Sequence, residues 1–479
     1  MGRGMRKLVC VLTAAVFVLS VFNFNVFADN TMTASAEVAA MNVGWNLGNT
    51  LDSYGTWIDN VTPQTVETAW GNPVTTRQMI AAVRERGFNT IRIPVTWAQF
   101  MDSNGNVDAA WMSRVHEVVD WALDEGLYVI LNVHHDTGEH GSDKVCWMIA
   151  DTGTYDSVNG RFQTLWTAIA NEFKDYDNRL MFEGYNEMLD MNNSWNAPTT
   201  GNGAYDAVNS FAQLFVDTVR ATGGNNETRN LIVNTYVASA DQSVLDAFVL
   251  PTDSVSDHLI CEIHAYTPWN FCSHEGDASY TTFDSNCQNQ IDGLMNSLSS
   301  FSNRLGVPVI IGEFGVENQN NDSDRASYIE YYMQRATERG IRCIWWDNGI
   351  SDYGGYAIFD RNSLTWNETL ASALIDNAPD GVAASVPAEA TEPSETSAEV
   401  AETVAAVEET SVTETALEST SESSEYVSET VAADIDSQNI NGNKKSLTIL
   451  FIVGGIVVAA SYVGLFLLGR KIGKNRSER

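Results

Sequence analysis

The chain has 479 residues, with 62 acidic and 27 basic side chains and a formal net charge of −35 at neutral pH. A protein this acidic repels phosphate backbones, which excludes nucleic acid as a partner, and it suits an uncharged substrate. Its length fits one large domain with appendages, and its 6 cysteines are too few and too scattered for a disulfide framework.

In chain order, residues 1–28 read as a signal peptide. Arg3, Arg6 and Lys7 precede an apolar run from Leu8 to about Phe22, and Val26-Phe27-Ala28 gives a small-residue cleavage site. An uncleaved anchor is the alternative. Residues 29–381 then alternate short apolar runs with amphipathic segments of helix length. The runs are Val43–Leu47, Thr90–Pro94, Tyr128–His134, Leu180–Glu187, Leu231–Tyr236, His258–Tyr266, Pro308–Gly315 and Arg342–Asp347. Helical patterns such as Thr75–Arg86, Asp108–Glu125, Tyr205–Ala221 and Ser323–Arg339 lie between them. Eight such units predict an α/β fold of the (β/α)8 TIM barrel kind. An open doubly wound sheet would carry a glycine-rich phosphate turn after its first strand, a pattern that Gly44-Trp45-Asn46-Leu47-Gly48-Asn49 does not match.

Residues 382–445 are rich in Glu, Thr, Ser and Ala. The first 62 of them (382–443) hold 14 acidic residues and neither Lys nor Arg, which predicts a disordered linker extended by self-repulsion. Residues 446–469 are an apolar stretch long enough for a transmembrane helix. The basic tail at 470–479 places the cytoplasm after it, so the C-terminal helix would make the cytoplasmic membrane a partner and leave the rest outside the cell.

Polar residues gather at the ends of the apolar runs: Asn49, Arg92, His134 with His135, Asn186 with Glu187, His264 with Tyr266, Glu313 and Trp346. In a barrel all eight strand ends open on one face, so these residues would converge there. Glu187 and Glu313, on the fourth and seventh strands, can approach to the roughly 5 Å of a retaining glycosidase. Arg92 would hold the nucleophile ionised. His264 and Tyr266 share one side of their strand and can donate into the site. Asn186 suits a sugar 2-hydroxyl. Glu183 and Glu262 fit as interior partners of Arg92 rather than as catalysts. Trp97, Trp269 and Trp346 are placed to stack on sugar faces.

Other chemistries stay in view. His134, His135, His264 and His274 could form a metal site with Glu313. No His-x-His or His-x-x-x-His pair supports one, and adjacent histidines on a strand point to opposite faces. The expectation is therefore no metal and no cofactor. Asp102-Ser103-Asn104-Gly105-Asn106 lacks the later Glu of a calcium loop and predicts a turn. Cys261 and Cys343 are expected as buried thiols, while Cys272 and Cys287 could bridge a loop.

Gly44-Trp45-Asn46-Leu47-Gly48-Asn49-Thr50-Leu51-Asp52, Glu67-Thr68-Ala69-Trp70-Gly71-Asn72-Pro73 and Ile91-Arg92-Ile93-Pro94-Val95-Thr96-Trp97 together resemble glycoside hydrolase family 5, most nearly its subfamily 4 endoglucanases. The resemblance spans about residues 40–375. It implies a retaining enzyme acting on β-1,4-glucans without metal, with Glu187 as acid/base and Glu313 as nucleophile. It implies a supporting set of Arg92, His134, His135, Asn186, His264, Tyr266 and Trp346, with Asn49 and His274 lining the sugar site. One departure is Asn186-Glu187-Met188, where the family usually has proline after the glutamate. The expected protein is a monomeric, cell-surface endo-β-1,4-glucanase whose partner is a β-glucan polysaccharide. Xyloglucan, lichenan, xylan and glucomannan are alternative substrates, and a silent glycan-binding receptor is the alternative class.

Overall fold

The computed structural model describes residues 32–199, 201–275 and 279–381. The expected signal peptide, linker, membrane helix and basic tail lie outside these residues. Among the described residues no helix is long and apolar enough to cross a membrane.

The eight apolar runs become strands β1 (Gly44–Asn46), β2 (Thr90–Ile93), β3 (Tyr128–Asn132), β4 (Leu180–Glu183), β5 (Leu231–Asn234), β6 (Leu259–His264), β7 (Val309–Phe314) and β8 (Arg342–Trp345). They close in chain order into one parallel barrel, β8 pairing back onto β1. A small antiparallel ladder, β9 (Phe359–Asp360) with β10 (Thr365–Trp366), follows. Three of the long intervening helices open at a capping aspartate. Asp108, Asp151 and Asp284 each accept first-turn N–H groups, opening helices Ala109–Asp124, Thr152–Glu172 and Ser285–Leu305.

Most strands end earlier than the apolar runs suggest. β4 stops at Glu183, so Glu187 stands four residues past the ladder rather than on it. β3 stops at Asn132, which frees His134 and His135 from strand geometry.

Side-chain alternation along the strands sorts the interior into layers. Outward residues such as Val129, Leu131, Phe182, Val233 and Trp345 pack under the helices in the main core. Ile130, Met181, Ile232, Ile260, Ile310 and Ile344 form a second apolar cluster, which Val38, Ala40 and Met41 join from the N-terminal helix Ala34–Ala40 and its cap. That helix closes the barrel floor. Two residues further along the same strand faces come Asn132, Glu183, Asn234, Glu262 and Gly312, which Asn46 and Arg92 join through hydrogen bonds and an ion pair. Apart from glycine this middle layer is wholly polar, and its side chains are fully buried. Gly312 is required by this packing, because a Cβ there would sit 1.8 Å from Glu262 Oε1.

At the floor, Glu37 is itself fully buried and accepts from Asn230 Nδ2. Burial pushes its carboxyl up to about 8, against the pull of Asn230 and Arg229. All 5 described cysteines are free, so Cys272 and Cys287 do not bridge. Both are buried, and Cys287 Sγ instead lies 3.7 Å from Tyr280 Oη. Asp102 Oδ1 accepts from the backbone N–H groups of Asn104 and Asn106, forming the turn expected there.

Candidate active site

Arg92 is the hub of the middle layer, and acceptors meet all five of its N–H donors. Nε and Nη2 bind Glu183 at 2.7 and 2.8 Å. The remaining Nη2 donor reaches Asn186 Oδ1 at 2.9 Å, and Nη1 reaches Asn46 Oδ1 at 3.0 Å and Glu313 Oε1 at 2.7 Å. Glu262 Oε1 lies 3.3 Å from Arg92 Nε. Glu183 and Glu262 are therefore interior partners of the guanidinium, as their strand positions suggest.

Above the hub, β6 and β7 meet through a register shift that pairs His264 with Glu313. His264 Nδ1 lies 2.8 Å from Glu187 Oε1 and 3.6 Å from Glu313 Oε2. Oxygens of Glu187 and Glu313 are within 4.8 Å of one another, with His264 beside both. Tyr266 donates its hydroxyl to Glu313 Oε2 at 2.9 Å.

The electrostatics differ sharply between neighbours. Burial raises the Glu313 carboxyl, as does Glu187, while His264, Arg92 and the Tyr266 hydroxyl oppose the rise. Burial would lower His264, but Glu313, Glu187 and hydrogen bonds to Glu187 and Glu262 outweigh it and bring the ring to about 10. Burial holds the Tyr266 hydroxyl well above its ordinary value, reinforced by the Glu313 charge, so it remains a donor. His134 is driven well below the ordinary imidazole value by burial, His135 and Arg92. Asn132 Nδ2 contacts His134 Nδ1 at 3.1 Å, which leaves the ring proton on Nε2. His135 falls to about 3, through burial and then Lys144 and Arg92, with the rings of Tyr54 and Trp70 packed against it.

These groups open into a cavity of about 790 Å³ lined by His134, His135, Glu187, His264, Tyr266, Glu313, Trp269 and Trp346. Trp269 is half exposed, and Trp346 lies parallel to His134 with ring centroids 5.9 Å apart. Gly48 makes room for that indole: a Cβ there would meet Trp346 at 2.8 Å.

Several expectations need correction. Trp97 is fully buried and donates its indole N–H to the Asn132 carbonyl at 3.0 Å, so it is core and not a sugar platform. The rings of His134 and His135 meet edge to face at 4.5 Å and both line the cavity, because they stand past the end of β3 where strand alternation no longer applies. His274 is tied to Glu317 beyond the cavity lining, so the four histidines do not converge on Glu313. Asn49 also stands off the cavity. Its left-handed backbone (φ 57°) shapes the loop after β1, with its N–H bonded to Asp52 and its carbonyl to Asn72.

Sequence reasoning missed Glu139, Trp195, Asn196, Val237, Ser239, Glu275 and Tyr356, which complete the lining. Val237 is a β-branched residue at φ 46°, a strained conformation of the kind that gathers at functional sites. Trp195 sits in Asn192-Asn193-Ser194-Trp195-Asn196, and a lone indole in that polar setting is the one signal that pointed to it.

The profile of Cellulase (glycosyl hydrolase family 5) matches residues 51–352. Endoglucanase A of Ruminococcus albus is 40% identical over 359 residues, covering 72% of this chain and 93% of that protein. Among solved structures, a GH5-4 broad specificity endoglucanase from Ruminococcus champanellensis with bound cellotriose is 41% identical, with a TM-score of 0.67, covering 72% of this chain and 99% of that one. A variant of a glycoside hydrolase family 5 enzyme from Prevotella bryantii B14, in complex with a xyloglucan tetradecasaccharide, is 41% identical with a TM-score of 0.66 over the same shares.

Proposed function

The chain belongs to glycosyl hydrolase family 5, and from that premise we propose that Glu313 and Glu187 carry out a retaining double displacement on a β-1,4-glucan. The protein is an endo-β-glucanase with the likeness of subfamily 4. Glu313 attacks the anomeric carbon while Glu187 protonates the leaving oxygen. Glu187 then takes a proton from water, which displaces the glycosyl group from Glu313.

The observation that carries this reading is the approach of Glu187 and Glu313 oxygens to within 4.8 Å. That spacing suits direct attack by a carboxylate; an inverting pair stands roughly 6.5–9.5 Å apart to admit water. Two cations, Arg92 and His264, favour the ionised form of Glu313, and Tyr266 steadies its second oxygen. Asn186, oriented by Arg92, would meet the sugar 2-hydroxyl, and Trp269, Trp346 and Trp195 would bear on sugar faces.

Cellotriose in one structural neighbour and xyloglucan in another support a glucan backbone with tolerance for branches. The leader, acidic linker, apolar stretch and basic tail support a further reading: the catalytic body is exported and held at the outer face of the cytoplasmic membrane.

The test is product analysis on purified β-glycans with the anomer followed by NMR, alongside Glu313→Gln. The initial product should be the β anomer, and the variant should lose at least about a thousand-fold in kcat. An initial α product, or undiminished hydrolysis by Glu313→Gln, would sink the mechanism.

A further inference from the structure

Glu262 lies beneath the reacting carboxylates, fully buried and off the cavity lining. Its Oε1 is 3.1 Å from His264 Nε2 and 3.3 Å from Arg92 Nε, and glycine at 312 is what admits it. The other face of the same imidazole meets Glu187 at 2.8 Å. Both ring nitrogens thus look at carboxylate oxygens. The neighbouring Arg92 Nη2, 3.5 Å from His264 Nε2, has both its protons committed to Glu183 and Asn186. It has none left to donate to the ring, so a proton on each ring nitrogen satisfies the contacts best.

We propose that Glu262 is a positioning residue that keeps His264 doubly protonated, so that the ring presents a fixed positive charge to Glu187 and Glu313. This rests on the assignment of those two glutamates as the reacting pair. The groups facing the Glu262–His264 pair are Arg92 from β2, Glu183 from β4, Glu187 from the loop after β4, Glu313 from β7 and neutral His134 after β3. The Glu262 carboxyl, raised to about 7 by burial and Glu183 against Arg92 and His264, is the nearest competitor for the shared proton. The imidazolium is closer to the reacting carboxylates than Glu262 is. Neutralising the pair together therefore removes more positive than negative influence from Glu313, whose ionisation then needs a higher pH.

The experiment has two arms. Histidine-labelled native protein is followed by 15N–1H NMR from pH 5 to 8, and kcat/KM against pH is compared for native and Glu262→Gln protein. The expected result is a native His264 with both nitrogens protonated throughout, a His264 that loses its second proton at lower pH in the variant, and an acid limb displaced upward by about one pH unit. A singly protonated His264 in native protein at pH 7 overturns the proposal, and so does a folded variant whose limbs do not move. If Glu262→Gln does not fold, the native NMR arm decides alone. Retained hydrolysis by Glu313→Gln would fault the catalytic assignment instead, whatever the state of His264.

Discussion

Glu37→Gln should stabilise the protein, and increasingly so as pH rises. Glu37 sits in the floor helix with no solvent exposure, Asn230 bonded to Oε2 and no partner at Oε1. Its folded value of about 8 lies above the ordinary 4.5, so between those values the folded state binds a proton that the unfolded chain has released. Its stabilising contribution is therefore complete below about pH 4.5 and is lost progressively as pH climbs to about 8. Moving a carboxyl from 4.5 to about 8, at about 1.4 kcal/mol per tenfold, sets a ceiling of about 5 kcal/mol. Relaxation of the helix and entry of water would bring the real figure to a fraction of that. Glutamine keeps the shape and the acceptor for Asn230 without the ionisable proton. Urea denaturation of both proteins at pH 5, 6.5 and 8 gives the comparison. Buried Asp52, Asp136 and Glu262 are also raised, but they contribute equally to both proteins and cancel in the difference. The two should differ little at pH 5 and by a few kcal/mol at pH 8. Parallel stability curves across that range would refute the reasoning.

Two further substitutions separate the roles of the site. Glu187→Gln should lose about 10²–10⁴-fold in kcat/KM on glucan, yet far less in kcat/KM on an aryl cellobioside whose leaving group needs no proton; equal losses of kcat/KM on both would deny Glu187 the role of acid. Gly312→Ala, which drives a methyl onto Glu262 Oε1, should destabilise by about 3 kcal/mol or more in denaturant titration and reduce kcat with it, whereas a neutral outcome would mean that the middle layer yields.

The barrel was legible because a strand buried on both faces shows as a nearly unbroken apolar run, and eight such runs appear at regular spacing. Arg92, Glu183 and Glu262 were legible as partners because charges inside such runs must find one another. The histidine pair was misjudged for a physical reason: alternation binds a side chain only while its backbone remains in the ladder, and β3 ends two residues before His134. Trp97 was misjudged because position along the chain does not reveal where an indole N–H points, and this one turns inward to Asn132. Trp195 and Val237 belong to loops whose course is set by contacts distant in sequence, such as the Tyr236 hydroxyl bonded to the Ser194 carbonyl.

The apolar floor also limits where protons can travel. Ile130, Met181, Ile232, Ile260, Ile310 and Ile344, sealed by the N-terminal helix, separate the polar layer from solvent below. Polar access from above runs through the cavity, where the glucan itself would lie. With a chain seated there, Glu187, His264, Glu262 and Glu313 would hold a conserved stock of protons for the length of the glycosylation step. Catalysis in that interval would be a redistribution within the stock, and exchange with bulk water would resume when the leaving group departs and a water molecule takes its place.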